Sequence, residues 1–96
     1  MISSKQRSFL RGLANPLEPI FQIGKSGLGG NMLTALDDAL TARELIKVRV
    51  LKNLAEEPRT IADRLAEALD AEVVQVIGYN IVLYRRNREE PKITLP

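Results

Sequence analysis

Ile20-Phe21-Gln22-Ile23-Gly24-Lys25-Ser26-Gly27-Leu28-Gly29-Gly30 decides how this chain folds. Its first four residues are a short apolar run fenced by Pro19 and Gly24, the pattern of a buried strand. The stretch from Gly24 to Gly30 holds four of the chain's six glycines and reads as a loop. A helix then begins near Gly29 to Asn31, carrying Leu33, Leu36 and Leu40 at three- and four-residue spacing, with Met32 and Ala39 widening that face. Strand, glycine loop and helix in one short span point to an α/β fold.

Working outward, Ser3 and Gln6 have the spacing of a capping box, and Phe9, Leu10 and Leu13 then form an apolar stripe on a first helix. Asn15-Pro16 ends it, because the residue before proline avoids helical dihedrals. Leu45 to Leu51 alternates, with Ile46, Val48 and Val50 on one side and Lys47 and Arg49 on the other. Pro58 suits the first turn of a third helix with Ile61, Leu65, Ala68 and Leu69 inward. Val73 to Ile77 and Ile81 to Tyr84 are β-branched runs around Gly78-Tyr79-Asn80, a hairpin signal. The predicted order is helix, strand, helix, strand, helix, strand, strand. Two β-α-β crossovers should give parallel neighbours, and the last two strands should pair antiparallel. The economical solution is a two-layer α/β sandwich around a four-stranded mixed sheet, in an order that the pattern leaves open. Residues 1–96 read as a single domain with a polar, partly ordered tail from about residue 86.

The 96 residues are one domain's worth of chain, 45% hydrophobic and 27% charged, as in a globular fold. No apolar run approaches the roughly 18–20 residues of a spanning helix, and Met1 to Arg7 lacks the apolar core of a secretion signal, so a cytoplasmic protein is expected. Cysteine and histidine are both absent. Structural zinc, disulfides, thiol nucleophiles and imidazole acid–base chemistry drop out with them. The net charge is +2, but it is unevenly placed: residues 1–30 and 85–96 are net basic and residues 61–84 net acidic. Such a chain either presents a basic face to a polyanion or simply solvates its surface.

Gly24-Lys25-Ser26-Gly27 follows a strand and precedes a helix, where glycines admit a phosphate to backbone amides and a helix start adds unpaired donors. The mononucleotide loop, G-x-x-x-x-G-K-[ST], fails here, because its first glycine falls on Pro19 and its middle on strand-like Ile20 to Ile23. The remaining design is the G-x-x-G loop of KH-type RNA binders, with Lys25 as a mobile charge at the tip. Other candidates carry two readings each. Arg7 and Arg11 repel at four-residue spacing, which either serves a ligand or is tolerated on a solvated face. Lys47 and Arg49 share a strand face that is either solvated or a rim for a nucleic-acid backbone. Arg85, Arg86 and Arg88 follow Tyr84, which either stacks a base or belongs to the core while the arginines solubilise the tail. Asp37 and Asp38 diverge by about 100° on their helix, and Glu56-Glu57 favours a helix start, so neither makes a catalytic pair.

Taken in order, Pro16-Leu17-Glu18-Pro19-Ile20, Ile23 to Leu28, Arg43 to Arg49, Val74 to Gly78 and Val82 to Arg85 resemble the CRM domain, named for chloroplast RNA splicing and ribosome maturation, whose stand-alone bacterial form is YhbY-like. The resemblance covers about Gln6 to Leu95. It implies a fold similar to the C-terminal domain of translation initiation factor three. It also implies association of the bacterial members with large-subunit precursors and of the plant members with group II intron splicing. The family's proposed RNA-contacting loop falls on Gly24 to Gly27. This chain has Asn15 and Glu18 where the family usually has histidine and lysine, and Gly29 where a threonine normally caps the second helix.

The expectation is therefore a non-enzymatic RNA-binding protein that assists assembly of the large ribosomal subunit by contacting ribosomal RNA. Its candidate contacts are Gly24, Lys25, Ser26, Gly27, Arg7, Arg11, Lys47, Arg49, Arg85 and Arg86. No cofactor, metal, membrane or small-molecule substrate is implied. The alternative is a protein-binding adaptor with no direct RNA contact.

Overall fold

The Ser3 hydroxyl accepts the Gln6 N–H at 3.1 Å while the Gln6 side chain accepts the Ser3 N–H at 3.0 Å, so the first helix starts on the predicted reciprocal cap. That helix is α1 (Ser4–Ala14), in a computed structural model that describes residues 2–24, 29–52 and 56–96. After it come β1 (Phe21–Ile23), α2 (Gly30–Arg43), β2 (Leu45–Val50), α3 (Pro58–Leu69), β3 (Glu72–Ile77) and β4 (Asn80–Tyr84). Class and element order are as expected from sequence. No described helix is long and apolar enough to cross a membrane.

The four strands stand in the order β1-β2-β4-β3. β1 pairs parallel with β2, whereas β4 pairs antiparallel with both β2 and β3. The first crossover thus gives parallel neighbours, but the second does not, because β4 lies between β2 and β3. Composition accounts for the insertion. Ile81, Val82, Leu83 and Tyr84 are all buried, as a strand covered on both faces must be, whereas β3 carries Glu72, Gln75 and an exposed Ile77 and takes the edge.

Alternation divides β2 and β4 between two cores. Ile46, Val48, Val50, Ile81 and Leu83 meet Leu36 and Leu40 of α2 and Ile61, Leu65 and Leu69 of α3. That half is the expected sandwich of helices on a sheet. Leu45, Val82 and Tyr84 point the other way, where Leu10 and Ala14 of α1 cover them with Ile2, Ile93 and Leu95 alongside. The cover on this second face was not legible, and α1 turns differently from its apolar stripe: Leu10 and Ala14 form the seam, leaving Phe9 and Leu13 each 40% exposed. In α3, Ala62 rather than Ala68 completes the buried face.

Between α2 and β2 there is a single residue, Glu44, at φ 65°. A non-glycine residue there costs about 1–2 kcal/mol of backbone strain. Its side chain supplies the compensation. The carboxylate is fully buried and accepts the backbone N–H groups of Asn87, Lys92 and Ile93, each at 2.7 Å. Its carbonyl accepts the Arg85 N–H at 2.9 Å. The segment expected as a partly ordered tail is therefore tied down chiefly at this carboxylate, and Ile93 and Leu95 pack beside the second core. Burial pushes the Glu44 carboxyl up, but the three backbone donors and the Lys92 charge together outweigh it and hold it below its ordinary value.

Removing that acceptor leaves three donors without a partner. Glu44→Ala should destabilise the protein by roughly 2–4 kcal/mol, lowering Tm by about 10 °C or more in a circular-dichroism melt. Because folding depresses this carboxyl, its contribution is complete above about pH 5 and is lost as pH falls through the lowered folded value. The Tm advantage of the parent over Glu44→Gln should accordingly shrink between pH 5 and pH 3.

Candidate nucleic-acid interface

β1 ends in Ile23, whose carbonyl accepts the Leu51 N–H at 3.0 Å, so the chain enters the glycine loop pinned against the end of β2. A Cβ on Gly24 would meet Leu51 Cδ1 at 3.3 Å, a close contact to which the tip of the leucine side chain would have to give by a few tenths of an ångström. Lys25, Ser26 and Gly27, the heart of the predicted loop, lie outside the described residues. Gly29 is the N-cap of α2 and makes no side-chain hydrogen bond to the helix start. Among the described residues no side chain caps the start of α2, an arrangement that suits an anion.

The strand order gathers further groups at this end of the sheet. Parallel pairing sets the close of β1 beside the close of β2, and antiparallel pairing brings in the turn before β4. The Val50 N–H donates to the Tyr79 carbonyl at 2.7 Å, fixing that turn to β2. Gln22 pairs with Arg49 and Arg49 with Asn80, one row on one face, with Gln22 and Arg49 exposed. Beyond the row, Lys52 Nζ stands 5.8 Å from the centroid of the Tyr79 ring. Neither Lys52 nor Tyr79 was a sequence candidate; an aromatic in a two-residue turn was the signal available for it.

The remaining candidates disperse. Lys47, half-buried, stands two residues back along β2, beside a groove formed by Leu13, Leu17, Ile20, Leu45 and Ile93 and edged by Glu18 and Arg43. Arg11 is exposed on α1. Arg7 is not free: its guanidinium donates to the Val73 and Val74 carbonyls, where β3 shifts register against β4. That bond accounts for Arg7 beside Arg11 without a ligand. Arg85 and Arg86 lie past the far end of β4, about 14 Å of strand from the loop end. Arg85 donates to the Asp37 carboxylate at 2.7 Å and to the Leu69 carbonyl, the Asp37 carbonyl and the Thr41 hydroxyl at 2.9 Å. It clamps α2 and α3 to β4. Arg86 is exposed, but Tyr84 is 3% exposed and cannot stack a base. Its hydroxyl is buried without a hydrogen-bond partner among the described residues, and burial, then the Glu44 charge, push its pKa up. The acidic residues behave as expected: Asp37 serves Arg85, and Arg64 donates to Glu56, holding that carboxyl below its usual value.

With the geometry in hand, comparison places the chain. A family model described as the CRS1 / YhbY (CRM) domain matches residues 2–85. The chain belongs to that family. Among relatives, the Bacillus subtilis protein named "Probable RNA-binding protein YqeI" is 46% identical over 96 residues, covering 100% of both chains. A Haemophilus influenzae protein named "RNA-binding protein" is 41% identical over 95 residues, covering 99% of this chain and 95% of the relative. The solution structure of the Staphylococcus aureus protein SAV1595 shares 49% identity at a TM-score of 0.84, with both chains wholly covered. Of the three expected departures from the family pattern, Asn15 and Glu18 are exposed past the end of α1, and Gly29 caps α2 by backbone alone.

The split between structural and free arginines can be measured. Arg85→Ala should cost about 1–3 kcal/mol of stability, because it strips partners from a carboxylate and a helix-end carbonyl. Arg49→Ala and Arg86→Ala should each stay within about 0.5 kcal/mol of the parent. Urea titrations of the three variants would show the difference.

Proposed function

We propose that this protein binds structured RNA through the β1–α2 end of its sheet and holds ribosomal RNA in large-subunit precursors in the cytoplasm while the subunit assembles. It acts by binding, without catalysing a reaction. The observation that carries the reading is the junction at Gly24. There β1 ends before Gly24 and α2 starts from Gly29 without a side-chain cap among the described residues, with Arg49 and Lys52 exposed at the same sheet end. Contacts of this kind go to phosphate and ribose, so shape is read more than base sequence. Membership of the CRM family and the names of the bacterial relatives support RNA as the partner. The link to ribosomal precursors rests on the family resemblance.

An adaptor role is the second reading, and one feature favours it. Phe9, Leu13 and Leu17 are all more than a third exposed, along and just beyond α1. Partner binding there would be insensitive to the loop.

Replacing Lys25 and Ser26 with aspartate places like charge where phosphate must sit. The double variant should lose nearly all affinity for structured ribosomal RNA in a fluorescence titration while keeping the parent's melting curve, and Lys25→Ala should weaken binding by roughly 1 kcal/mol. Parent affinity should also fall steeply between about 50 and 200 mM salt. A flat salt response with unaltered binding by the double variant would shift the assignment to the adaptor.

A further inference from the structure

Gly78 has φ +57°, and Tyr79 is not among the positive-φ residues, so the turn between Ile77 and Asn80 has the glycine-first geometry of a type II′ hairpin. That geometry demands glycine at position 78 and asks nothing of position 79, where small polar residues are at home. An aromatic there serves neither described core: Tyr79 is 40% exposed and the neighbouring Ile77 56%. Two of the other aromatics are spoken for, since Tyr84 is buried and Phe21 packs against the main core, while Phe9 lies on α1. Tyr79 alone among them stands at the loop end of the sheet, its carbonyl anchored by Val50 and Lys52 over its ring. β4 is two strand positions from β1, about 10 Å. A nucleotide chain gripped by phosphate at the β1–α2 loop can lay a base across that distance.

We infer that Tyr79 is a base-stacking platform: an unpaired nucleobase lies on its ring, with Ile77 extending the apolar surface and the Lys52 ammonium meeting the adjoining phosphate. The inference rests on the RNA-binding reading and adds to it a preference for RNA that offers an unpaired base beside a helical stem. Stacking is indifferent to base identity, so the preference is for unpairedness rather than sequence.

The probes are a stem-loop RNA with a loop of unpaired adenosines and a blunt duplex of the same stem. Parent and Tyr79→Phe should bind the stem-loop alike, and Tyr79→Ala roughly 5- to 150-fold more weakly. All three should bind the duplex equally. Equal stem-loop binding by Tyr79→Ala, with loss in the Lys25→Asp, Ser26→Asp variant, would overturn the stacking role and leave the RNA reading standing. Failure of the parent to bind either RNA would overturn both. Should Tyr79→Ala melt early, Tyr79→Trp gives a chain otherwise lacking tryptophan a reporter. Quenching by the stem-loop and not the duplex supports stacking, and equal response to the two overturns it.

Discussion

A single buried carboxylate holds this molecule's second face together. Glu44 occupies the only position between α2 and β2, in a backbone conformation that favours glycine, and its side chain collects three amides from a segment more than 40 residues away. Apart from those bonds, the irregular segment after Arg85 is held to the helices by Asn87 Nδ2 donating to the Thr41 carbonyl and Gln6 Nε2 donating to the Pro96 carbonyl, while Ile93 and Leu95 pack beside the core of Leu45 and Val82. The same segment covers the open flank of α1, and its first residue is the arginine that clamps α2 and α3 to β4. A charge buried and fully hydrogen-bonded ties together elements that hydrophobic area alone would leave loosely ordered.

Glu44 is also the residue that the amino-acid pattern hides best. A glutamate between a helix and a strand looks like ordinary solvated surface, and only the tertiary fold brings Asn87 and Lys92 to it. Local signals fared differently. Ser3 and Gln6 are three residues apart, so their cap is complete within the sequence that encodes it. Ile46, Val48 and Val50 alternate on a pleat whose period is fixed, and they face one core as the period requires. Phe9 and Leu13 misled because a helix can set either of two adjacent seams against a sheet, and here small Ala14 permitted the closer approach beside Leu10. Strand order was beyond reach, since whether a final hairpin folds outward or inward depends on which strand can be buried on both sides.

The candidate site was legible to the same degree. Its glycine frame is contiguous in sequence and could be named from it. Its cations could not be sorted, because an arginine bound to carbonyls and one reaching for phosphate are identical as letters. Arg7 and Arg85 turned out to be ties between elements, whereas Arg49 stands exposed in a row with Gln22, with no side-chain bond to a described residue. Lys52 and Tyr79 meet only because β4 lies next to β2, so their pairing was no more legible in the sequence than the strand order. What emerges is a surface concentrated at one end of the sheet rather than spread along every basic stretch.

The inward position of β4 has a consequence for how the protein comes into being. The strand that pairs with both β2 and β3 is the last one in the chain. During synthesis, β1 and β2 can associate as soon as α2 has formed, but β3 has no strand to pair with until residues 80–84 follow it. Half of the sheet therefore waits for the last strand to be made, and the carboxylate of Glu44 waits longer still for Lys92 and Ile93. Domains generally fold as units as they are made. This one is held open until residues 80–93 have been made, and its closure depends on long-range pairing.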